Sequence, residues 1–385
     1  MQPESWSPGD VMPPAPTVEA RREVPGRNLP WGIILSLGGA FAMFVVALLL
    51  GVVALQHLFP DGLIVPDPEI REAQSAFASN TGLTGLNTTG ADVHVCIVDT
   101  GIDLSHPDLE GVSLVGWRDF VNERDVPYDD EGHGTAMAGI LVADGVLTGV
   151  ALGVDLSIAK ALAVDGTGST DDIAAAVDWC VESGADIVSM SLGGAPGVNW
   201  VFVETDTLEA SVDAALDAGV YVVAAAGNDG EDDDGDVATP GSVEDAISVG
   251  GVDRSDYLWT GSSKGDNNGR LWPILMPRDA PDEKPEVVAP GARVPVLVAG
   301  IGDQEPWWGF ANGTSAATVW VSGALAHLLE ANPTLKHDGA GGGRAAIQDV
   351  KQGLSQSCDM QEGQTGHDDH YGYGRLNTTA WLASV

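Results

Sequence analysis

A serine set among small residues in NGTSAATVWVSG (Asn312 to Gly323) stands where a helix is expected to begin, so Ser315 is either a nucleophile or a helix cap. Three other segments carry groups that bear on the choice. Asp99 closes the apolar run VHVCIVDTG, His133 lies in GHGT, and Asn228 ends AAGN. Hydrolysing an amide through a serine takes a base for the hydroxyl proton, an acid that holds the base in one tautomer, and donors for the developing oxyanion. Asp99, His133, Ser315 and Asn228 supply one of each. Taken singly, each has a plainer reading, since an acid after a strand, a Gly-His-Gly or an Asn-Asp pair is ordinarily a turn.

The elements around these residues strengthen the combined reading. VHVCIVDTG has the apolar run of a buried strand, and further strands are expected at Leu156 to Ala161, Asp186 to Met190, Val220 to Ala225 and Ala246 to Val252. Helical patterns near Ile173 to Glu182 and Leu208 to Ala218 fall between them. Such alternation predicts an α/β fold, a three-layer, doubly wound, mainly parallel sheet with helices on both faces and ligands beyond the carboxyl ends of its strands. Asp99, SLGG (Ser191 to Gly194) and AAGN all fall at such ends. The order acid, histidine, serine also differs from that of α/β-hydrolases and of chymotrypsin-like enzymes, and is the subtilisin order.

With that order, VDTGID (Val98 to Asp103), HPDL (His106 to Leu109), GHGTAMAG (Gly132 to Gly139) and NGTSAATVWVSG resemble the signature segments of subtilisin-like serine peptidases. The likeness continues through GVALGVDLSIAKAL, DIVSMSLGG, YVVAAAGN, KPEVVAPG and GYGRLNTTAWL, over roughly residues 85 to 385. It implies a Ser315 nucleophile, His133 as general base and then acid, Asp99 as its partner, and an oxyanion hole of Asn228 and the Ser315 N–H. It also implies that Ser191, Leu192 and Gly193 pair with an extended polypeptide substrate. Ala316 and Val319 stand where the family has methionine and proline, and Ala136 replaces a histidine outside the triad. Asp108 matches a position that ligates calcium in relatives, but the loop that would complete the site is cut to ADGVLTGV, so no metal is expected there. DGEDDDGD (Asp229 to Asp236) reads as a solvated acidic turn with the composition of a cation site, and HDDH (His367 to His370) has only metal-like composition. Asp229, beside Asn228, is a candidate for drawing basic side chains into the first specificity pocket.

Composition sets the rest. Among 385 residues, 56 acids against 17 bases give a formal charge of −39, which repels phosphate backbones and excludes nucleic acid as a partner. The acids run along the whole chain while lysine occurs at five positions, a surface style that suits a saline habitat. From Trp31 to Leu55 the chain carries no charge and is long enough to cross a bilayer as a helix. Arg21, Arg22 and Arg27 before it, with Asp61, Asp67 and Glu69 after it, place the N-terminus in the cytoplasm and the catalytic domain outside the cell membrane. The expected organisation is a disordered tail (1–30), a transmembrane helix (31–55), a linker and N-terminal arm (56–84) and a catalytic domain (85–385). No inhibitory prodomain of the usual size fits between helix and Asp99. Cys96 and Cys180 read as core thiols and Cys358 as a lone loop thiol. The competing reading is a catalytically silent peptide-binding module at the membrane.

Overall fold

The computed structural model describes residues 67–193, 207–230, 235–267 and 277–385, together with Val45, Val46, Leu48 and Gly51. The chain divides into two compact units, Met1–Ile64 and Val65–Val385, and the sheet and its helices belong to the second. The span expected at 31–55 lies outside the described residues except for those four, which are helical. Among the described residues no helix is long and apolar enough to cross a membrane.

Seven strands form one parallel sheet: β1 (His94–Asp99), β2 (Leu114–Asp119), β3 (Asp155–Lys160), β4 (Ile187–Met190), β5 (Tyr221–Ala225), β6 (Ile247–Val252) and β7 (Val287–Pro290). Their spatial order is β2-β3-β1-β4-β5-β6-β7. The inner strands read as continuous apolar runs because helices cover both faces. The five expected strands are present within one residue of their expected ends. Sequence reading missed the two edge strands, half-exposed β2 (LVGWRD) and the short β7 (VVAP).

Chain order reverses beside β1, which has β3 on one side and β4 on the other, and that is where a crevice opens at the carboxyl ends. Register places the site there: Val98 lies opposite Met190 and Met190 opposite Ala224, so Asp99, Ser191 and the Gly227–Asn228 turn leave the sheet at one edge.

The helices are α1 (Pro68–Asn80), α2 (His133–Val142), α3 (Thr170–Glu182), α4 (Thr207–Asp217), α5 (Thr314–Ala331), α6 (Arg344–Ser357) and α7 (Thr378–Leu382). Helix α5 is buried from Thr314 to Leu329, apolar on all sides, and packs on β5, β6 and β7 and against α2. Helix α1 lies in the expected N-terminal arm, capped by Asp67 with Pro68 in its first turn, and buries Ile70, Ala73 and Phe77 at helical spacing. A hairpin of β8 (Val294–Val298) and β9 (Trp307–Ala311) leads into α5.

The structure corrects the cysteines. Cys96 on β1 and Cys180 on α3 form a disulfide across 84 residues, with Cα atoms 5.8 Å apart. Nothing local signals this pair, because sheet packing alone brings α3 against β1. Cys358 is the free thiol.

Candidate active site

Asp99 ends β1 fully buried, and both its carboxylate oxygens lie within hydrogen-bond reach of His133 Nδ1, at 2.8 and 2.9 Å. His133 opens α2 with its side chain one-third exposed (33%). Two glycines allow the approach. A β-carbon at Gly134 would stand 2.2 Å from the Gly101 carbonyl oxygen, and one at Gly101, whose φ is +124°, 2.0 Å from the Tyr128 carbonyl oxygen. Burial alone would lower the His133 pKa. The Asp99 carboxylate outweighs it by charge and hydrogen bond, Glu131 and Asp129 add to the effect, and the imidazole is pushed up from 6.5 to about 9.

Ser315 lies in the first turn of α5, where backbone N–H groups have no partner within the helix. Its hydroxyl donates to the Ser191 carbonyl at 3.1 Å, and Ser191 Oγ returns a bond to the Ser315 carbonyl at 3.0 Å. Ser315 is thus tied to the end of β4 and faces the same cleft as His133. Asn228 Oδ1 accepts from Thr314 N and Thr314 Oγ1, both at 3.0 Å, which fixes the amide orientation and leaves Nδ2 without an acceptor among the described residues. A β-carbon on Gly313 would stand 3.7 Å from Ser315 N and 3.8 Å from Asn228 Nδ2, so the two donors flank that glycine.

Asp99 ends β1 behind a cleft of about 480 Å³, and the other six expected site residues line it: His133, Ser315, Asn228, Ser191, Leu192 and Gly193. Gly166 to Gly168 and Ile173 line it as well.

Sequence reading missed the groups that hold the loops. Lys160, fully buried at the end of β3, donates to the carbonyls of Thr100 (2.5 Å) and Leu162 (2.9 Å) and to Asp130 (2.7 Å). One ammonium thereby joins the segments after Asp99, before His133 and along the cleft wall. Asp129 accepts from Thr100 Oγ1, Gly132 N and Thr135 N at 2.8 to 2.9 Å and so caps α2. A lysine inside the apolar run LSIAKAL was the available signal.

Other candidates have structural partners. Asp108 is buried, and its oxygens accept from Val146 N (3.0 Å), Leu147 N (2.7 Å) and Trp308 Nε1 (2.8 Å). Asp236 is also buried and pairs with Arg278 at 2.8 Å, so that end of DGEDDDGD is no solvated turn, while residues 231–234 lie outside the described set. Asp229 accepts from Ser263 Oγ at 3.4 Å and is not among the described residues that line this cleft. In HDDH, His367 bonds the Pro285 carbonyl and Asp369 accepts from Asn267.

The profile of the Subtilase family matches residues 90–374. Serine protease AprX of Bacillus subtilis (strain 168) is 32% identical over 328 residues, covering 79% of this chain and 69% of AprX. Subtilisin DY of Bacillus licheniformis is 33% identical, covering 76% of this chain and 91% of that protein. Among solved structures, a cold adapted subtilisin-like serine proteinase matches with a TM-score of 0.57 at 23% identity, covering 76% of this chain and 91% of its own. The protease domain of PatA, as its S218A mutant, matches with a TM-score of 0.59 at 23% identity, covering 78% and 97%. Fold, family profile and relatives agree, and the chain belongs to the subtilase family of serine endopeptidases.

Proposed function

We propose that this subtilase cuts extended polypeptides through Ser315 and works on the outer face of a cell membrane to which residues 31–55 anchor it. The observation that carries the reading is the Asp99–His133 hydrogen bond set in one cleft with Ser315 and Asn228. Asp99 accepts the Nδ1–H of His133, which leaves Nε2 free to take the Ser315 proton as Oγ attacks the scissile carbonyl. The Ser315 N–H and Asn228 Nδ2 stabilise the oxyanion, and His133 then protonates the leaving amine. Water, deprotonated by the same imidazole, releases the acyl group from Ser315. In the free protein the Ser315 hydroxyl rests on Ser191, and serine-to-histidine bonds of this kind tighten when substrate binds. Ser191 to Gly193 offer the edge on which substrate adds as a strand.

The disulfide supports the outward orientation, since such bonds persist in oxidising compartments. No cofactor takes part in these steps. One experiment tests nucleophile and orientation together. A membrane-impermeant organophosphorus serine reagent on intact cells labels the full-length chain and leaves Ser315→Ala unlabelled. Labelling of the variant overturns the nucleophile, and labelling of the wild type only after lysis overturns the orientation.

A further inference from the structure

Three segments read Asn-x-Ser/Thr with no proline between: Asn87-Thr88-Thr89, Asn312-Gly313-Thr314 and Asn377-Thr378-Thr379. That triplet is the acceptor for N-linked glycans on chains outside the cytoplasm, and it serves where the asparagine amide and the hydroxyl two residues on are both within reach. Folding withdraws two of the three. Thr314 and Thr378 are fully buried. Asn312 Oδ1 accepts from Arg293 N at 2.7 Å, while Asn377 caps α7, its Oδ1 accepting from Ala380 N at 3.0 Å and its Nδ2 donating to Asp359 at 3.1 Å. Asn87 and Thr89 are both exposed, in a stretch that is neither helix nor strand, and the Asn87 side chain makes no hydrogen bond among the described residues. The backbone beside it is held in place. Glu330 Oε2 accepts from Thr89 N and Gly90 N, both at 2.6 Å, and from Ala91 N at 3.0 Å. Glu330 stands about four turns along α5 from Ser315, roughly 22 Å, so a group carried on this loop lies clear of the cleft.

We propose that Asn87 carries an N-linked glycan. The inference rests on the outward orientation proposed above, because the loop must reach the face of the membrane on which glycans are transferred. The donor is a lipid-linked oligosaccharide phosphate, and an oligosaccharyltransferase reads the Thr89 hydroxyl while it engages the Asn87 amide. Asn87 Nδ2 attacks the anomeric carbon of the donor, and the bond from that carbon to the phosphate oxygen breaks. The lipid phosphate leaves with the electron pair, the amide loses one proton to solvent, and no group is oxidised or reduced.

The test is mass spectrometry of peptides from the full-length chain, isolated from the cells that naturally make it. A glycan mass is expected on the Asn87 peptide, with Asn312 and Asn377 bare. Asn87→Gln and Thr89→Val each lose that mass completely, whereas Thr89→Ser, which restores a hydroxyl, keeps it. Loss in Thr89→Val, where the asparagine is intact, separates transfer directed by the triplet from any other chemistry at Asn87. An unchanged kcat/KM in Asn87→Gln shows that this variant folds. A bare Asn87 in the wild type, a glycan that survives Thr89→Val, or a glycan on Asn312 or Asn377 in its place overturns the inference. The membrane-impermeant serine reagent, applied to the same cells, reads the orientation separately. Labelling of intact cells beside a bare Asn87 overturns the glycan alone, and labelling only after lysis beside a bare Asn87 overturns both.

Discussion

At the scale of single residues, the site joins a histidine made basic by its neighbours to an asparagine whose amide is turned by a threonine. The general base must be neutral, so a His133 pKa pushed up to about 9 displaces the acid limb of kcat/KM upward from about 6.5. A pH profile is expected to keep rising above neutrality, and a limb at or below 6.5 would show that Asp99 and Glu131 do not hold the proton as argued. The same shift acts oppositely on stability. The pKa is raised on folding, so the contribution is present below about 6.5 and is lost as pH rises through about 9. Asn228 Oδ1 serves Thr314 in the resting protein, and in the proposed mechanism Nδ2 donates to a charge that exists only in the transition state. Asn228→Leu is therefore expected to lower kcat roughly 10²- to 10³-fold, the cost of removing one oxyanion donor in subtilisin, with little change in KM. A kcat within a few fold of wild type, in a protein that melts normally, would reduce Asn228 to a turn residue.

At the scale of elements, the site depends on two helix starts being held against one sheet edge. Glycines at 101 and 134 bring α2 onto the turn after β1, and Ser191 joins the end of β4 to the first turn of α5. The Cys96–Cys180 disulfide fastens α3 to β1. Closing a loop across 84 residues stabilises by about 4 to 5 kcal/mol if the unfolded chain bears the constraint. Thiol titration in denaturant is expected to find one group per chain without reductant and three with it. Reduction should also lower the melting temperature. Three titratable thiols in the unreduced protein would remove both the crosslink and its support for an oxidising compartment.

At the scale of the whole molecule, most of the few lysines are spent inside. Lys160, Lys284 and Lys351 are fully buried, the last two in a cluster with Asp282 and Glu286, so three of the five lysines add nothing to the surface. Asp282 in that cluster is desolvated, yet Lys284 and Lys351 hold its carboxyl down to about 2. The surface carries the excess of a chain with formal charge −39, and like charges on a compact body repel. Screening shortens from about 10 Å at about 0.1 M to about 3 Å at about 1 M salt. The melting temperature should accordingly rise with NaCl, and EDTA should leave it unchanged, because N–H donors already occupy the Asp108 oxygens. A flat or falling curve would remove the repulsion argument and the saline habitat, and a drop with EDTA would point to a bound cation.

By itself the sequence determined the family and the inner strands of the sheet. Buried parallel strands are unbroken apolar runs, and a residue at a strand end stays there whatever the loops do, so Asp99, Ser191 and Asn228 were legible as strand-end groups and His133 and Ser315 as helix starts. Register, layer packing and side-chain direction are set by residues far apart in the chain, and those only the tertiary structure decided. Cys96 and Cys180 look like core residues until α3 lies on β1. Lys160 reads as an anomaly in an apolar strand until the Asp99 and His133 loops converge on its ammonium. Asp229 and Glu131 are both acids two residues or fewer from a site residue, and only folding turns the first to Ser263 and the second into the cleft. Sequence proximity fixes how near two groups can be, while the direction of a side chain depends on packing that no local pattern encodes.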